Sequence, residues 1–231
     1  MNPIITAVKR NLDIFQNKPL KISVYEAFRK TIILGEIPAG SRINEKEFSE
    51  ALNISRTPIR YALAELTKEQ LVEYTPKIGN VVRGISIRDA FEIFEIRKSL
   101  DTLATIKAME NMTPEDFELL HNMLEECEQL NRDNRIADVL SNFAAFNAFI
   151  YEKSQMKRLQ SIVEELKTYL FYFRDISIHS TERRYEALKE HWLILRGMKN
   201  KNIDQITLIT HEHLDHSLHF IIKEMERHHI E

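Results

Sequence analysis

The chain has 231 residues, 43% of them apolar, a formal net charge of −3, 5 glycines, 6 prolines and one cysteine. That composition supports a sizeable core and excludes a disordered chain; the lone Cys127 excludes a disulfide framework or a cysteine-rich zinc module and reads as a core residue or a surface thiol in a reducing compartment. Few breakers among many Leu, Ile, Glu and Lys predict a mainly α protein, and no stretch approaches the ~18 uninterrupted apolar residues of a membrane span.

Charge is unevenly placed. Residues 1–85 carry 13 Lys/Arg against 9 Asp/Glu, and the remainder carries 19 against 26. A basic first third before an acidic remainder predicts two domains, 1–85 and 86–231, with different partners. The opening MNPIITAVKRNLDIF places Lys9, Arg10 and Asp13 before any long apolar run, unlike a signal peptide, so a cytoplasmic protein is expected.

In chain order, SVYEAFRKTIILG predicts a helix with Val24, Ala27, Phe28, Ile32 and Leu34 as its apolar positions and Gly35 as its stop. The turn EIPAGSRI follows. NEKEFSEALNI predicts a short helix from Asn44 to a close at Asn53. SRTPIRYALAEL then opens a second helix, with Ser55 as N-cap and Ile59, Leu63 and Leu66 as its apolar stripe. Helix, tight turn, helix is a helix-turn-helix pattern. LVEYTPKIGNVVRGI switches to strand formers around a Pro76–Asn80 turn and predicts a small β-hairpin. A hairpin directly after a helix-turn-helix is the order of a winged helix.

Arg56 and Arg60 crowd the N-terminal end of the second helix, where the helix dipole makes cations cost from a few tenths to about 1 kcal/mol each. A polyanion at that end accounts for them. The second helix of such a motif enters the DNA major groove, an arginine fork matches guanine O6/N7, and backbone amides with the Thr57 hydroxyl meet phosphate. Lys77 and Gly79 at the hairpin tip can approach the backbone or minor groove.

The run GEIPAGSRINEKEFSEALNISRTPIRYALAELTKEQLVEYTPKIGNVV resembles the winged-helix head of GntR-type bacterial transcription regulators over about residues 20–85. The resemblance implies DNA contacts at Lys46, Arg56, Thr57, Arg60, Lys77 and Gly79. The chain departs from the pattern with Ile43 for Leu, Tyr61 for Glu, Gln70 for Gly and Ile78 for the Arg common in the wing.

From Ile87 every segment predicts helix, about six in all, giving a bundle. In the first, Phe91, Phe94, Ile96, Leu100 and Leu103 are expected in the core, and Arg97 has Asp101 four residues on, as an intrahelical pair or as an anion anchor. Thr113, Pro114 and Asp116 form a helix-start signal. Residues 87–228 resemble the helical FCD-type effector domain of the FadR subgroup of that family. The resemblance implies an effector cavity at Arg97, Asn147, His191 and His213. It also implies a divalent metal (Zn or Ni) held by Asp and His four apart, a later His and a last His. His191 and His213 match the late ligands, whereas Phe143 and Asn147 replace the early pair, and Asn147 offers only an amide oxygen. Tyr169, Phe171, Tyr172 and Phe173 are expected in the core, a dimer contact or the cavity wall. Together these features predict a non-enzymatic regulator: a homodimer binding operator DNA under control of a small effector, an organic acid by the Arg97 resemblance.

An alternative is a metal-dependent hydrolase of metallo-β-lactamase type, because ITHEHLDHS contains H-x-H-x-D-H. That chemistry needs the motif in a loop, since on a helix His211 and His213 project about 200° apart. The stripe Leu214, Leu218, Ile221, Met225 favours a helix.

Overall fold

The computed structural model describes residues 2–12, 18–178 and 180–227, with backbone alone at 167, 171 and 174–178. The chain divides into two compact units, Met1–Ser86 and Ile87–Glu231.

The first unit holds α1 (Pro3–Asn11), α2 (Leu20–Ile33), β1 (Arg42–Ile43), α3 (Glu45–Leu52), α4 (Arg56–Lys68), β2 (Val72–Thr75) and β3 (Gly79–Val82). Its core joins Val24, Phe28 and Ile32 of α2 to Phe48 of α3 and to Ile59 and Leu66 of α4, with the Phe28 and Phe48 rings 4.9 Å apart. The Asn44 side chain caps α3 by accepting from the Lys46 and Glu47 amides. Asn53 ends α3 in the left-handed region, φ 53°, which Asn tolerates better than most residues. Ser55 occupies the N-cap of α4, but its side chain makes no capping hydrogen bond.

Three features exceed the sequence expectation. α1 was not anticipated; it is short, with Ile5, Ala7 and Val8 buried. α2 begins at Leu20 rather than Ser23. The hairpin is completed into a three-stranded antiparallel sheet, order β1-β3-β2, by the two residues of β1 in what reads as a turn. Two residues are too few to show an alternating pattern.

Among the described residues the second unit holds six helices: α5 (Ile87–Asn111), α6 (Pro114–Arg132), α7 (Ile136–Lys153), α8 (Lys157–Ile178), α9 (Thr181–Lys199) and α10 (Ile203–Arg227). Thr113 and Asp116 close a reciprocal capping box on α6. Leu120, Leu124, Val139, Phe146, Leu195, Met198 and Ile206 belong to the core. Cys127 is buried with them, and burial with Glu126 and Glu128 nearby pushes its thiol up to about 12, which leaves it inert.

The expected core of α5 needs correcting. Phe94 is buried, but Phe91, Ile96 and Leu103 are exposed, and the inward stripe is Ala90, Ile93, Phe94, Arg97, Asp101, Ala104 and Ala108. A charged pair inside the stripe spoils the apolar period on which such a reading depends. The hydrolase alternative fails on α10, a continuous helix through His211, His213, Asp215 and His216.

Candidate functional site

In the first unit, α4 buries Pro58, Ile59, Ala62, Leu63 and Leu66 and leaves Arg56, Thr57 and Arg60 exposed. Lys46, also exposed, lies 3.8 Å from Glu50. Arg60 donates from Nε to Glu45 at 2.7 Å, which leaves its terminal nitrogens as a fork. At the sheet tip Thr75 pairs with Gly79. Lys77 is left-handed, φ 70°, and Gly79 has φ +100°, so conformation rather than crowding selects glycine there. Tyr74 and Ile78 are 69% and 48% exposed beside them. The departure at Gln70 is a left-handed residue too, φ 61°, the position that glycine fills without strain.

In the second unit, Arg97 of α5, Asn147 of α7, His191 of α9 and His213 of α10 line one cavity of about 40 Å³, with Phe94, Phe143, Phe173, Arg183, Ser217 and Ile221 among its walls. Phe173 therefore serves as the expected cavity aromatic, while the side chain of Phe171 lies outside the described residues. The expected intrahelical pair of Arg97 is present, at the wall of this cavity. It is 5% exposed, donates to Asp101 Oδ2 at 2.9 Å and stacks over Phe94 at 5.1 Å. Tyr151 donates to the other Asp101 oxygen at 2.6 Å. Burial opposes the Arg97 charge, but Asp101 and Tyr151 outweigh it and raise the pKa.

A second charged cluster was not expected from the sequence. Arg183, also 5% exposed, donates to Glu190 at 2.7 Å, to Ser217 Oγ at 2.9 Å and to the His213 carbonyl at 3.2 Å. The Glu190 carboxylate also takes His213 Nδ1 at 2.6 Å and His216 Nδ1 at 2.7 Å. Burial alone would raise the Glu190 pKa, but His213 and Arg183 hold it well below the usual carboxylate range. Burial, with the charges of Arg183 and Arg97, lowers His213 against the pull of Glu190, so its imidazole is neutral at neutral pH. A neutral ring this close to a carboxylate donates through Nδ1. The signal that could have found Arg183 is its spacing. Arg183, Ala187, Glu190 and Ile194 fall on one helical face, and all four are buried.

The metal reading can be tested against these donors. His191 is 2% exposed and packed against the Phe143 and Phe146 rings, each centroid 4.8 Å away. Asn147 donates its amide to the Phe143 carbonyl at 2.9 Å. His213 Nδ1 is engaged by Glu190, and Arg183 Nη2 lies 3.2 Å from that nitrogen. Among the described residues no group of three His, Cys, Asp or Glu is arranged to hold a metal. A phenyl ring and a guanidinium beside the two histidines do not fit a divalent cation.

Among the described residues no helix is long and apolar enough to cross a membrane. Residues 20–82 match the family of bacterial regulatory proteins of gntR type, and residues 92–216, over half the chain, match the FCD domain. A winged helix-turn-helix with a helical unit around a polar cavity is the architecture of a bacterial transcription regulator, and the chain belongs to the FCD-domain group of the GntR family. It is 25% identical over 199 residues to the uncharacterized HTH-type transcriptional regulator YdhC of Bacillus subtilis, covering 86% of this chain and 89% of that one. It is 27% identical over 186 residues to the HTH-type transcriptional regulator McbR of Escherichia coli, covering 79% and 84%. The solved structure of Escherichia coli McbR/YncC shares the fold, with a TM-score of 0.64 at 22% identity over 89% of this chain and 98% of that one.

Proposed function

We propose that the chain is an operator-binding homodimer whose affinity for DNA is set by a small organic acid held in the helical unit. The observation that carries this reading is the convergence of Arg97, Asn147, His191 and His213, from four helices, on one cavity that also presents Arg183. Buried guanidinium groups suit carboxylates because their planar forks donate in pairs. Lys46, Arg56, Thr57 and Arg60 supply the major-groove and phosphate contacts, and Lys77 with Gly79 the wing contact. Support comes from the common exposure of Lys46, Arg56, Thr57, Arg60 and Lys77 in the first unit and from the terminal nitrogens of Arg60, which the Glu45 hydrogen bond does not use. A dimer multiplies the selectivity of two half-sites, and an acid that binds one arrangement of the dimer more tightly shifts the population able to fit the operator. Binding rather than catalysis is its mode of action, in the cytoplasm.

The test is operator affinity of the full-length protein, on a duplex selected from a random pool, with and without small organic acids. An acid that changes wild-type affinity and leaves Arg97→Ala unchanged supports the reading. An acid response retained by Arg97→Ala removes Arg97 as the anchor.

A further inference from the structure

Among the described residues the cavity has no set of groups arranged to hold a metal, and it carries a cation of its own. Arg183 is buried at the position where it touches Glu190, Ser217 and His213 together, with Nη2 3.2 Å from His213 Nδ1. Phe143 contributes a ring to His191 rather than a carboxylate. The two arginines also share a defect. Arg97 Nε and Arg183 Nη1 are buried N–H groups with no hydrogen-bond acceptor among the described residues, the Glu186 carboxylate lying 3.9 Å from Arg183 Nη1, beyond hydrogen-bond reach. Buried donors are nearly always paired, so two such groups around one cavity point to an acceptor that arrives from outside. Acceptor-only oxygens bearing negative charge are what two guanidinium groups select.

We propose that Arg183 takes the place of a bound cation, so that this cavity accepts a small carboxylate directly on the Arg97 and Arg183 guanidinium groups, without metal. The inference rests on the reading of the cavity as an effector site and adds how the acid is held and what is dispensed with. A free volume of about 40 Å³ admits a few water-sized groups, which favours compact acids over acyl thioesters. Asp101 and Glu190 each accept one hydrogen bond that holds a guanidinium in position. His191 and Asn147 complete the wall.

The experiment has a metal arm and an acid arm, both on full-length protein dialysed against chelator. In the metal arm, zinc chloride is titrated into wild type, Arg183→Gln and Arg183→Lys after the chelator is removed. The expected result is no zinc uptake by wild type or Arg183→Lys. Arg183→Gln, with Glu190 and His213 released, should bind zinc at least about tenfold more tightly than wild type, the size of effect that groups around a ligand set exert. Glu190 keeps its hydrogen bonds from His213 and His216 in the absence of Arg183, which protects the variant's fold, and circular dichroism checks it. About one zinc per wild-type chain, or equal zinc affinity in all three proteins, overturns the inference.

In the acid arm, thermal unfolding is followed with acetate, malonate and sodium chloride at matched ionic strength and with chelator present. Stabilisation of wild type by a carboxylate but not by chloride, lost in Arg183→Gln and partly kept in Arg183→Lys, supports the proposal. Stabilisation that appears only after zinc is added overturns it. If neither carboxylate acts on wild type with or without zinc, the effector reading itself fails, and the metal arm still decides whether Arg183 excludes a cation.

Discussion

Arg183 and Glu190 lie seven residues apart on α9, and the arginine donates to the carboxylate at 2.7 Å with both side chains buried. The partners are not equivalent. Glu190 has two further donors in His213 and His216, whereas Arg183 otherwise donates to the neutral Ser217 hydroxyl and His213 carbonyl, with the His213 ring nitrogen at 3.2 Å and the half-exposed Glu186 carboxylate at 3.9 Å. Removing one member of a buried pair costs about 3–5 kcal/mol when the other is left uncompensated.

Glu190→Gln is therefore expected to destabilise by about 3 kcal/mol or more, and Arg183→Gln by clearly less, since Glu190 keeps its hydrogen bonds from His213 and His216. Urea unfolding at pH 7 measures both, and the opposite order would show that Arg183 is not the dependent partner.

Gln70 marks a cost that the fold carries without evident return. Its φ of 61° places an L-residue where the left-handed conformation costs roughly 1–2 kcal/mol. Gln70→Gly is expected to raise stability by about 1 kcal/mol, reduced by the greater freedom of glycine in the unfolded chain. Its only side-chain partner among the described residues is a 3.4 Å contact from Arg83. Chemical denaturation checks the sign, and a loss of stability would mean that contact matters more than the backbone.

The capping box at the start of α6 gives a pH-dependent test. Thr113→Ala is expected to cost about 1 kcal/mol at pH 7. The Asp116 pKa is lowered from 3.8, by the Lys153 hydrogen bond first and the Thr113 amide next. A depressed folded pKa stabilises above the unfolded value and loses that contribution as pH falls through the folded one. Wild type should thus exceed Asp116→Asn in stability above about pH 4, with the gap closing in stronger acid. A gap that is constant with pH would assign the effect to packing.

Much of this architecture is written in local signals. Asn44, Asn53, Thr113 and the Gly79 turn state where elements begin and end, and each is found in that role. The helix-turn-helix and the helical second unit follow from such signals and from apolar spacing. The site is legible only in part. Arg97, Asn147, His191 and His213 were found through a family pattern, and geometry brings them to one cavity. Arg183 and Glu190 escaped because charged residues in ERRYEALKEHW read as a solvated helix start. Only tertiary packing makes that face an interior one. The same cause misplaced Phe91, Ile96 and Leu103, since a helix that buries an arginine and an aspartate turns apolar side chains outward.

On the proposed DNA-reading face, Lys77→Ala should weaken binding by a similar factor on all duplexes and lower the salt slope by about one, as loss of one phosphate contact does. Measurement of affinity against salt on selected and scrambled duplexes tests this. A loss confined to the selected sequence would instead make Lys77 a base-reading residue.

The most direct measurement is the affinity of wild type and of Arg56→Ala and Arg60→Ala, full length, for a duplex selected by wild type from a random pool and for a scrambled duplex of equal length. Loss of a guanine-reading fork costs about 1–3 kcal/mol per site, so each variant should lose roughly tenfold to a hundredfold or more in preference for the selected duplex while keeping its helical circular dichroism. Variants that discriminate as wild type does would contradict the assignment of α4 as the element that reads DNA.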